Sequence, residues 1–177
     1  MENEENLPEF GIKREREERR DGGCGIVFDP ETQKYAVGYR SEGGLLGLFA
    51  GGVDDNEDIQ KGVEREVVEE SGLHNFLYIE KIGAGFAHYY NSLRKVNRVT
   101  KSTCFLFILK DRDLIEVKHE EHEKFSLAWA TAEEIFVNWE SKNKEHNLDH
   151  WLYFFKKSIK RAKELGYDTT SVLENLN

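Results

Sequence analysis

The sequence predicts an α/β protein, specifically an α/β/α sandwich built on a mixed β-sheet. Three features predict it: β-rich runs on both sides of a helix-forming stretch, one uninterrupted apolar run, and a long amphipathic pattern near the C-terminus. A chain of 177 residues with 38% hydrophobic and 12% aromatic content can bury one sizeable core. We therefore expect one domain over residues 22–165, a charged tail over residues 1–21 and a short tail over residues 166–177.

The first 21 residues are highly charged and have too few apolar side chains to order themselves. We expect a tail, with the alternative that Leu7 to Ile12 dock on the domain or on a second subunit of a homodimer. The basic residues from Lys13 to Arg20 are interleaved with glutamates, which favours a solvated helix over a nucleic-acid-binding arm. The net charge of −9 also argues against general nucleic-acid binding.

Strand patterns follow this segment. Residues 25–29 and 34–40 are β-rich runs separated by Asp-Pro-Glu-Thr-Gln, which predicts a hairpin. Arg40 ends the second run and is either a phosphate contact or an ordinary surface arginine. The run LLGLFAGG then predicts a glycine-broken strand, on which Phe49 is a candidate substrate contact.

The stretch from Gly51 to Leu73, GGVDDNEDIQKGVEREVVEESGL, contains the candidate catalytic residues. Asp58 suits an N-cap and Gly72 a helix-ending position, so a helix is predicted from about Ile59 to Ser71. Because positions i, i+3 and i+4 share one face of a helix, three carboxylates lie together there: Glu66, Glu69 and Glu70. These like charges repel, and Mg²⁺ or Mn²⁺ is the simplest partner. For an isolated triple, a solvated acidic face is the alternative.

The same stretch resembles the signature of the Nudix hydrolases. Nine positions agree: Gly51, Glu57, Arg65, Glu66, Val67, Glu69, Glu70, Gly72 and Leu73. Chance agreement is on the order of 10⁻⁹ per starting position. The resemblance implies an enzyme that uses Mg²⁺ or Mn²⁺ to cleave a nucleoside diphosphate linked to another group, by attack of water on a phosphorus. The chain departs from many members in having Ala50 where they have proline.

The resemblance also implies roles for individual residues. Metal ligands are expected at Glu66, Glu69, Glu70 and, through its backbone carbonyl, Gly51. Glu70, or a carboxylate outside the stretch, would help to activate the water. Glu57 and Arg65 would form an ion pair that ties the loop to the helix and supports catalysis.

Two further groups of residues are candidates by resemblance. Nudix enzymes often keep an additional catalytic glutamate just before the strand that here ends in Trp129, which makes Glu121 a candidate against a plain acidic loop. Diadenosine polyphosphate hydrolases of the family carry a tyrosine about as far beyond the signature as Tyr89 and Tyr90. These tyrosines would stack on a base, or simply pack on the sheet. The proline that marks many ADP-ribose hydrolases is missing.

The second half of the chain predicts strands followed by helices. NFLYIEKIGAGFAHYYN indicates a long strand, or a pair broken by Gly83 and Gly85, and RVTKSTCFLFILK indicates another. The run CFLFIL lacks alternation, which is typical of a strand buried on both faces in the middle of a sheet. AEEIFVNW predicts a short helix, and apolar residues at helical spacing between Leu148 and Ala162 predict a long amphipathic helix that packs on the sheet.

Cysteine usage and hydropathy favour a cytosolic location. Cys24 and Cys104 make no disulfide framework, which indicates a reducing compartment. No apolar run approaches 18 residues and the N-terminus is acidic, so we expect no membrane contact and a cytoplasmic enzyme whose partner is a small nucleotide. The alternative is a non-catalytic Nudix-fold module that binds a nucleotide or an RNA end. Such a module is usually marked by loss of the carboxylates, and here all are present.

Overall fold

A computed structural model describes residues 4–54, 56–117, 125–167 and 169. Within these residues the strands are β1 (Glu9–Gly11), β2 (Glu18–Arg19), β3 (Gly22–Asp29), β4 (Lys34–Tyr39), β5 (Leu46–Gly47), β6 (Phe49–Gly52), β7 (Phe76–Asn91), β8 (Val96–Leu109) and β9 (Ser126–Ala130). The α-helices are α1 (Ile59–Ser71), α2 (Ala132–His146) and α3 (Asp149–Glu164). The strands form one mixed sheet between two helical layers, which confirms the predicted α/β/α sandwich.

The strand order is β1-β7-β8-β3-β4-β5, with β2 beside β8, β6 beside β3 and β9 beside β4. The predicted hairpin is present as the antiparallel pair β3 and β4. Strand β8 pairs antiparallel with β7 and parallel with β3, and its residues 104–109 are all buried. The CFLFIL run therefore lies in the middle of the sheet, as predicted. Strand β7 is a single strand with a register shift between Lys81 and Gly83.

Helix α1 begins and ends where the sequence predicts. The Asp58 side chain accepts a hydrogen bond from the Lys61 backbone N–H at 3.1 Å, and Gly72 closes the helix with φ 79°. Val63 and Val67 are fully buried against one face of the sheet, where they pack with Phe107. This packing holds the helix against β3 and β6, with Glu66 beside Gly51.

Helices α2 and α3 cover the opposite face. Helix α2 begins with a capping box formed by Thr131 and Glu134. It is longer than the predicted eight-residue segment, because it continues to a left-handed C-cap at Asn147. The fully buried Trp139 packs against Trp151 and Phe155 of α3 in tilted and edge-to-face arrangements, with ring centroids 5.4 Å and 5.3 Å apart. The predicted long C-terminal helix is confirmed as α3.

Residues 9–11 lie on the sheet, which corresponds to the docked alternative to a free tail, whereas the solvated helix predicted over Lys13 to Arg20 is wrong, because this part of the chain leads into β2. Strand β1 pairs in parallel with β7, and Phe10 packs against Tyr153 with ring centroids 5.3 Å apart. Strand β2 continues the line of β3 alongside β8. Glu17 is held by the His88 ring at 2.9 Å. Backbone pairing and one aromatic contact thus order a segment that composition alone assigned to a tail.

The other predicted tail begins at residue 166. Tyr167 packs against Phe28 of the core, with ring centroids 6.1 Å apart, while residues 168 and 170–177 lie outside the described part of the chain. Cys24 and Cys104 are both buried, carry free thiols and face each other across β3 and β8. Of the helices described, none is long and apolar enough to cross a membrane.

Candidate active site

The candidate site is centred where β6 runs into the loop before α1. Gly51 and Gly52 of β6 pair with Gly23 and Gly22 of β3. A Cβ atom on Gly51 would collide with the Glu66 carboxylate. A side chain at position 51 would push this carboxylate away, whereas glycine lets the helix bring it directly onto the backbone of β6.

Arg65 connects the loop to the helix. Its Nε donates to Glu57 Oε1 and its Nη2 to Glu57 Oε2, both at 3.1 Å, so the predicted ion pair is present in bidentate form. The Asp54 backbone N–H also donates to Glu57, at 3.1 Å. Hydrogen bonds from Arg65 accordingly lower the pKa of Glu57. The loop between β6 and α1 is thus tied to the first turns of the helix.

The same arginine neutralises part of the acidic face. Arg65 Nη1 donates to Glu66 at 2.7 Å and to Glu69 at 3.0 Å. The Glu66 side chain is only 18% exposed, and burial raises its pKa although Arg65 opposes the shift. Glu69, by contrast, is 58% exposed. Arg65 therefore relieves the repulsion between the carboxylates that the sequence places on one face.

Glu70 reaches the same loop from the last turns of the helix. Its Oε2 accepts a hydrogen bond from the Ala50 backbone N–H at 2.8 Å. Glu66 and Glu70 therefore converge on residues 50 and 51, one by close contact and one by a hydrogen bond. Within the described part of the chain, no three acidic, histidine or cysteine side chains already surround one point that could hold a metal ion. Glu69 is held by Arg65 instead of joining the other two carboxylates.

The remaining catalytic candidate, Glu121, lies outside the described residues, as do its neighbours from 118 to 124. In the chain it falls between Val117 and β9. Strand β9 pairs with β4, and among the described residues it does not pair with β6. The role of Glu121 thus remains a prediction from the resemblance.

A cavity of about 800 Å³ opens beside the loop, on the face of the sheet that α3 covers. Its charged and aromatic lining includes Arg20, Asp21, Arg40, Tyr89, Tyr90, Arg98, Glu145, His150 and Trp151. Residues 50–52 also line it, so the cavity reaches the loop on which the two carboxylates converge. A second cavity of about 800 Å³ lies on the α1 face and shares Arg20 and Asp21 with the first. The first is the candidate substrate cavity, because Ala50, Gly51 and Gly52 of β6 form part of its wall.

The structure brings three of the four predicted substrate contacts to the first cavity. Arg40 lies at its rim, and Tyr89 and Tyr90 are 37% and 53% exposed along its side. The prediction that Phe49 contacts the substrate is wrong. It is 1% exposed and packs between the sheet and α1 with Val63, because alternation along β6 turns its side chain into the core.

The cavity residues that sequence reasoning missed include Arg20, Arg98, His150 and Trp151. A signal for Arg98 was present in the alternation of β8. Its even-numbered positions change from polar at Arg98, Thr100 and Ser102 to apolar from Cys104 onward. Such a change on one face of a strand indicates where that face leaves the core and enters a cavity. The other three residues come from distant segments and carry no local signal.

A helix that presents carboxylates beside a cavity lined by arginines suits hydrolysis of a phosphate anhydride. The family model of the NUDIX domain matches residues 19–152, and the chain belongs to this family. Family membership, with the carboxylate set intact, makes the protein a hydrolase that acts on pyrophosphate bonds. A comparison with curated proteins finds no match.

Solved structures of the same fold agree. The NUDIX domain of Shewanella oneidensis NrtR, solved in complex with ADP-ribose, has a TM-score of 0.59 at 16% identity, covering 82% of this chain and 89% of that one. The MutT protein of Methanosarcina mazei Go1 has a TM-score of 0.51 at 18% identity, covering 86% of this chain and 99% of that one. At these identities the likeness establishes the fold.

Proposed function

We propose that the protein is a divalent-metal-dependent pyrophosphohydrolase, which cleaves a nucleoside diphosphate linked to another group by attack of water on a phosphorus. The observation that carries the proposal is the convergence of Glu66 and Glu70 on residues 50 and 51, which line a cavity that also holds three arginines. A solvated acidic helix face would not bring two carboxylates onto the backbone of one strand.

The donor set fits a hard cation. Glu66, Glu70 and the Gly51 carbonyl supply oxygen ligands, which Mg²⁺ and Mn²⁺ prefer. Burial raises the pKa of Glu66, and a bound cation would favour its charged form. Glu69 would join the set on leaving Arg65. When bound, the cation would neutralise pyrophosphate oxygens and lower the pKa of a bound water.

The chain's own residues have separate tasks in this proposal. Glu70 accepts the proton of the attacking water, because its carboxylate is held at the loop by the Ala50 N–H. Arg65 and Glu57 fix the position of the loop relative to the helix, so that the Glu66 carboxylate remains beside Gly51. Arg20 and Arg40, both in the cavity lining, attract the anionic substrate to a protein with a net charge of −9.

The nucleoside would occupy the part of the cavity away from the loop. Trp151 and the exposed Tyr89 and Tyr90 supply aromatic surfaces there, on which a base can stack. Such stacking tolerates different bases, so the cavity lining suits a nucleotide without selecting one. We therefore propose a small nucleotide derivative as the substrate.

The test is a panel of nucleoside diphosphate-linked compounds incubated with Mg²⁺, Mn²⁺ or EDTA, with products separated by chromatography. Carrying out the reaction in ¹⁸O-water identifies the attacked phosphorus, since one product phosphate gains the label. We expect cleavage only with a divalent cation and label in a single product. Full activity in EDTA would contradict metal dependence. Binding of the panel without any cleavage would favour the non-catalytic module.

A further inference from the structure

Arg98 is a buried cation at the edge of the substrate cavity. Its side chain is 9% exposed, yet its Nε atom has no hydrogen-bond partner among the described residues. It has one ion-pair partner there, the carboxylate of Glu18 on β2, at 3.6 Å. Glu18 is itself 61% exposed. The Nε–H is therefore removed from water without the hydrogen bond that usually compensates such burial, and in the described part of the chain the rest of the guanidinium has only this loose ion pair.

The surroundings of Arg98 form part of the cavity lining. Thr100 and Ser102 follow it on the same face of β8, and Tyr89 is its partner across the strand pair. The Tyr89 hydroxyl lies 3.4 Å from the Thr100 hydroxyl. Arginine presents several N–H donors in a planar fork, a geometry that matches a phosphate. The site thus combines a cation that has few acceptors with neighbouring hydroxyl groups.

Arg98 lies far from the catalytic loop. Ser102 pairs with Gly22, which pairs in turn with Gly52, so Ser102 marks the catalytic end of the cavity. Four residues of β-strand separate Arg98 from Ser102, a distance of roughly 13 Å. A substrate whose pyrophosphate lies at the loop can reach Arg98 only with its opposite end.

We propose that Arg98 binds a second phosphate of the substrate, remote from the pyrophosphate that is cleaved. The inference rests on the proposed function and adds a specificity determinant to it. Glu18 pairs loosely with Arg98 when no ligand is present, and a phosphate displaces it by offering more acceptor oxygens at closer range. The preferred substrates are therefore nucleotide derivatives that carry a phosphomonoester on the nucleoside or on the linked group.

The test measures binding first, so that it does not depend on turnover. Adenosine and guanosine 5′-diphosphates, each with and without an added 2′- or 3′-phosphate, are titrated calorimetrically into the wild type. The same titrations are made with Arg98→Gln and Arg98→Lys. We expect an added phosphate to tighten wild-type binding at least about tenfold, Arg98→Gln to abolish this advantage and Arg98→Lys to restore part of it. Affinity for the unmodified diphosphates should change less than about twofold.

A purely structural role for Arg98 predicts something different. Arg98→Gln would then lower the melting temperature and weaken both ligands of each pair equally, which would overturn the proposal. Equal wild-type affinity for the two members of every pair, or failure of both to bind, would overturn it as well. Glu18→Gln is the matched variant, because it removes the carboxylate that pairs with Arg98. It should tighten binding of the ligands that carry an added phosphate and leave binding of the unmodified diphosphates unchanged. Cleavage of the compound panel without any phosphate preference would refute this inference and leave the proposed function standing.

Discussion

The Ala50 backbone N–H donates a hydrogen bond to the carboxylate of Glu70 at 2.8 Å, which ties the last turns of α1 to β6. Many Nudix enzymes have proline at the position of Ala50, and proline has no N–H to donate. The departure from the family pattern therefore supplies a positioning bond for the residue that we assign to proton transfer.

Glu70→Gln should lower turnover at least about a hundredfold, or roughly 3 kcal/mol of transition-state stabilisation. Glutamine can still accept the Ala50 hydrogen bond, but it cannot take a proton from water. The metal-free melting temperature should stay unchanged or rise slightly, because one like-charge repulsion is removed. Steady-state kinetics and thermal unfolding are measured side by side, with Glu64→Gln of the same helix as control. Wild-type turnover in Glu70→Gln would refute the assignment, and an unfolded variant would show that Glu70 is structural.

Arg65→Ala should lower activity and stability together. Arg65 donates to Glu57, Glu66 and Glu69, so its removal leaves these carboxylates without their common positive partner. Arg65→Lys keeps the charge but not the bidentate geometry, and should fall between alanine and wild type. Melting temperature and turnover are measured for all three proteins. An alanine variant that matches the wild type in both would show that the ion pairs are dispensable.

His150 should make stability depend on pH. Burial lowers the pKa of His150 to about 4, from an ordinary value of 6.5. Since the unfolded chain takes up the proton first, the stabilisation is fully present above pH 6.5 and is lost as the pH falls toward 4. Between pH 7.5 and pH 5 the wild type should lose on the order of 1–2 kcal/mol that His150→Gln does not lose. Urea unfolding of both proteins at the two pH values measures the difference, and parallel losses would contradict the lowered pKa.

Removing residues 1–17 should destabilise the protein, whereas a free tail would be dispensable. The deletion removes the pairing of β1 with β7 and the contact of Glu17 with His88. It also removes Phe10, which packs on Tyr153 and Phe154. We expect a loss of about 2 kcal/mol, or roughly 4–8 °C in melting temperature.

A point variant checks the same contact without shortening the chain. Phe10→Ala should account for a large part of the loss, while Phe10→Leu keeps apolar contact and should cost less. Thermal unfolding of the deletion and of both variants provides the comparison. A deletion protein as stable as the wild type would mean that the segment contributes no net stability.

The sequence alone determined the features that depend on local pattern. The bounds of α1 follow from Asp58 and Gly72, because a cap and a left-handed glycine act within one turn of the helix. The central position of β8 follows from its unbroken apolar run, and the ion pair of Glu57 and Arg65 from the family signature. Each of these signals lies within a short stretch of chain and needs no knowledge of distant partners.

Tertiary structure decided the features that depend on contact between distant segments. The N-terminal segment is ordered because β7 offers its edge to β1, a pairing that composition cannot reveal. Phe49 faces the core because β6 pairs with β3 in one register, and a shift of one residue would have turned it outward. Arg98 is a cavity residue because β2 covers it on one side while the cavity lies on the other. Register and burial arise only when the strands meet, and they determine which side chains the substrate can reach.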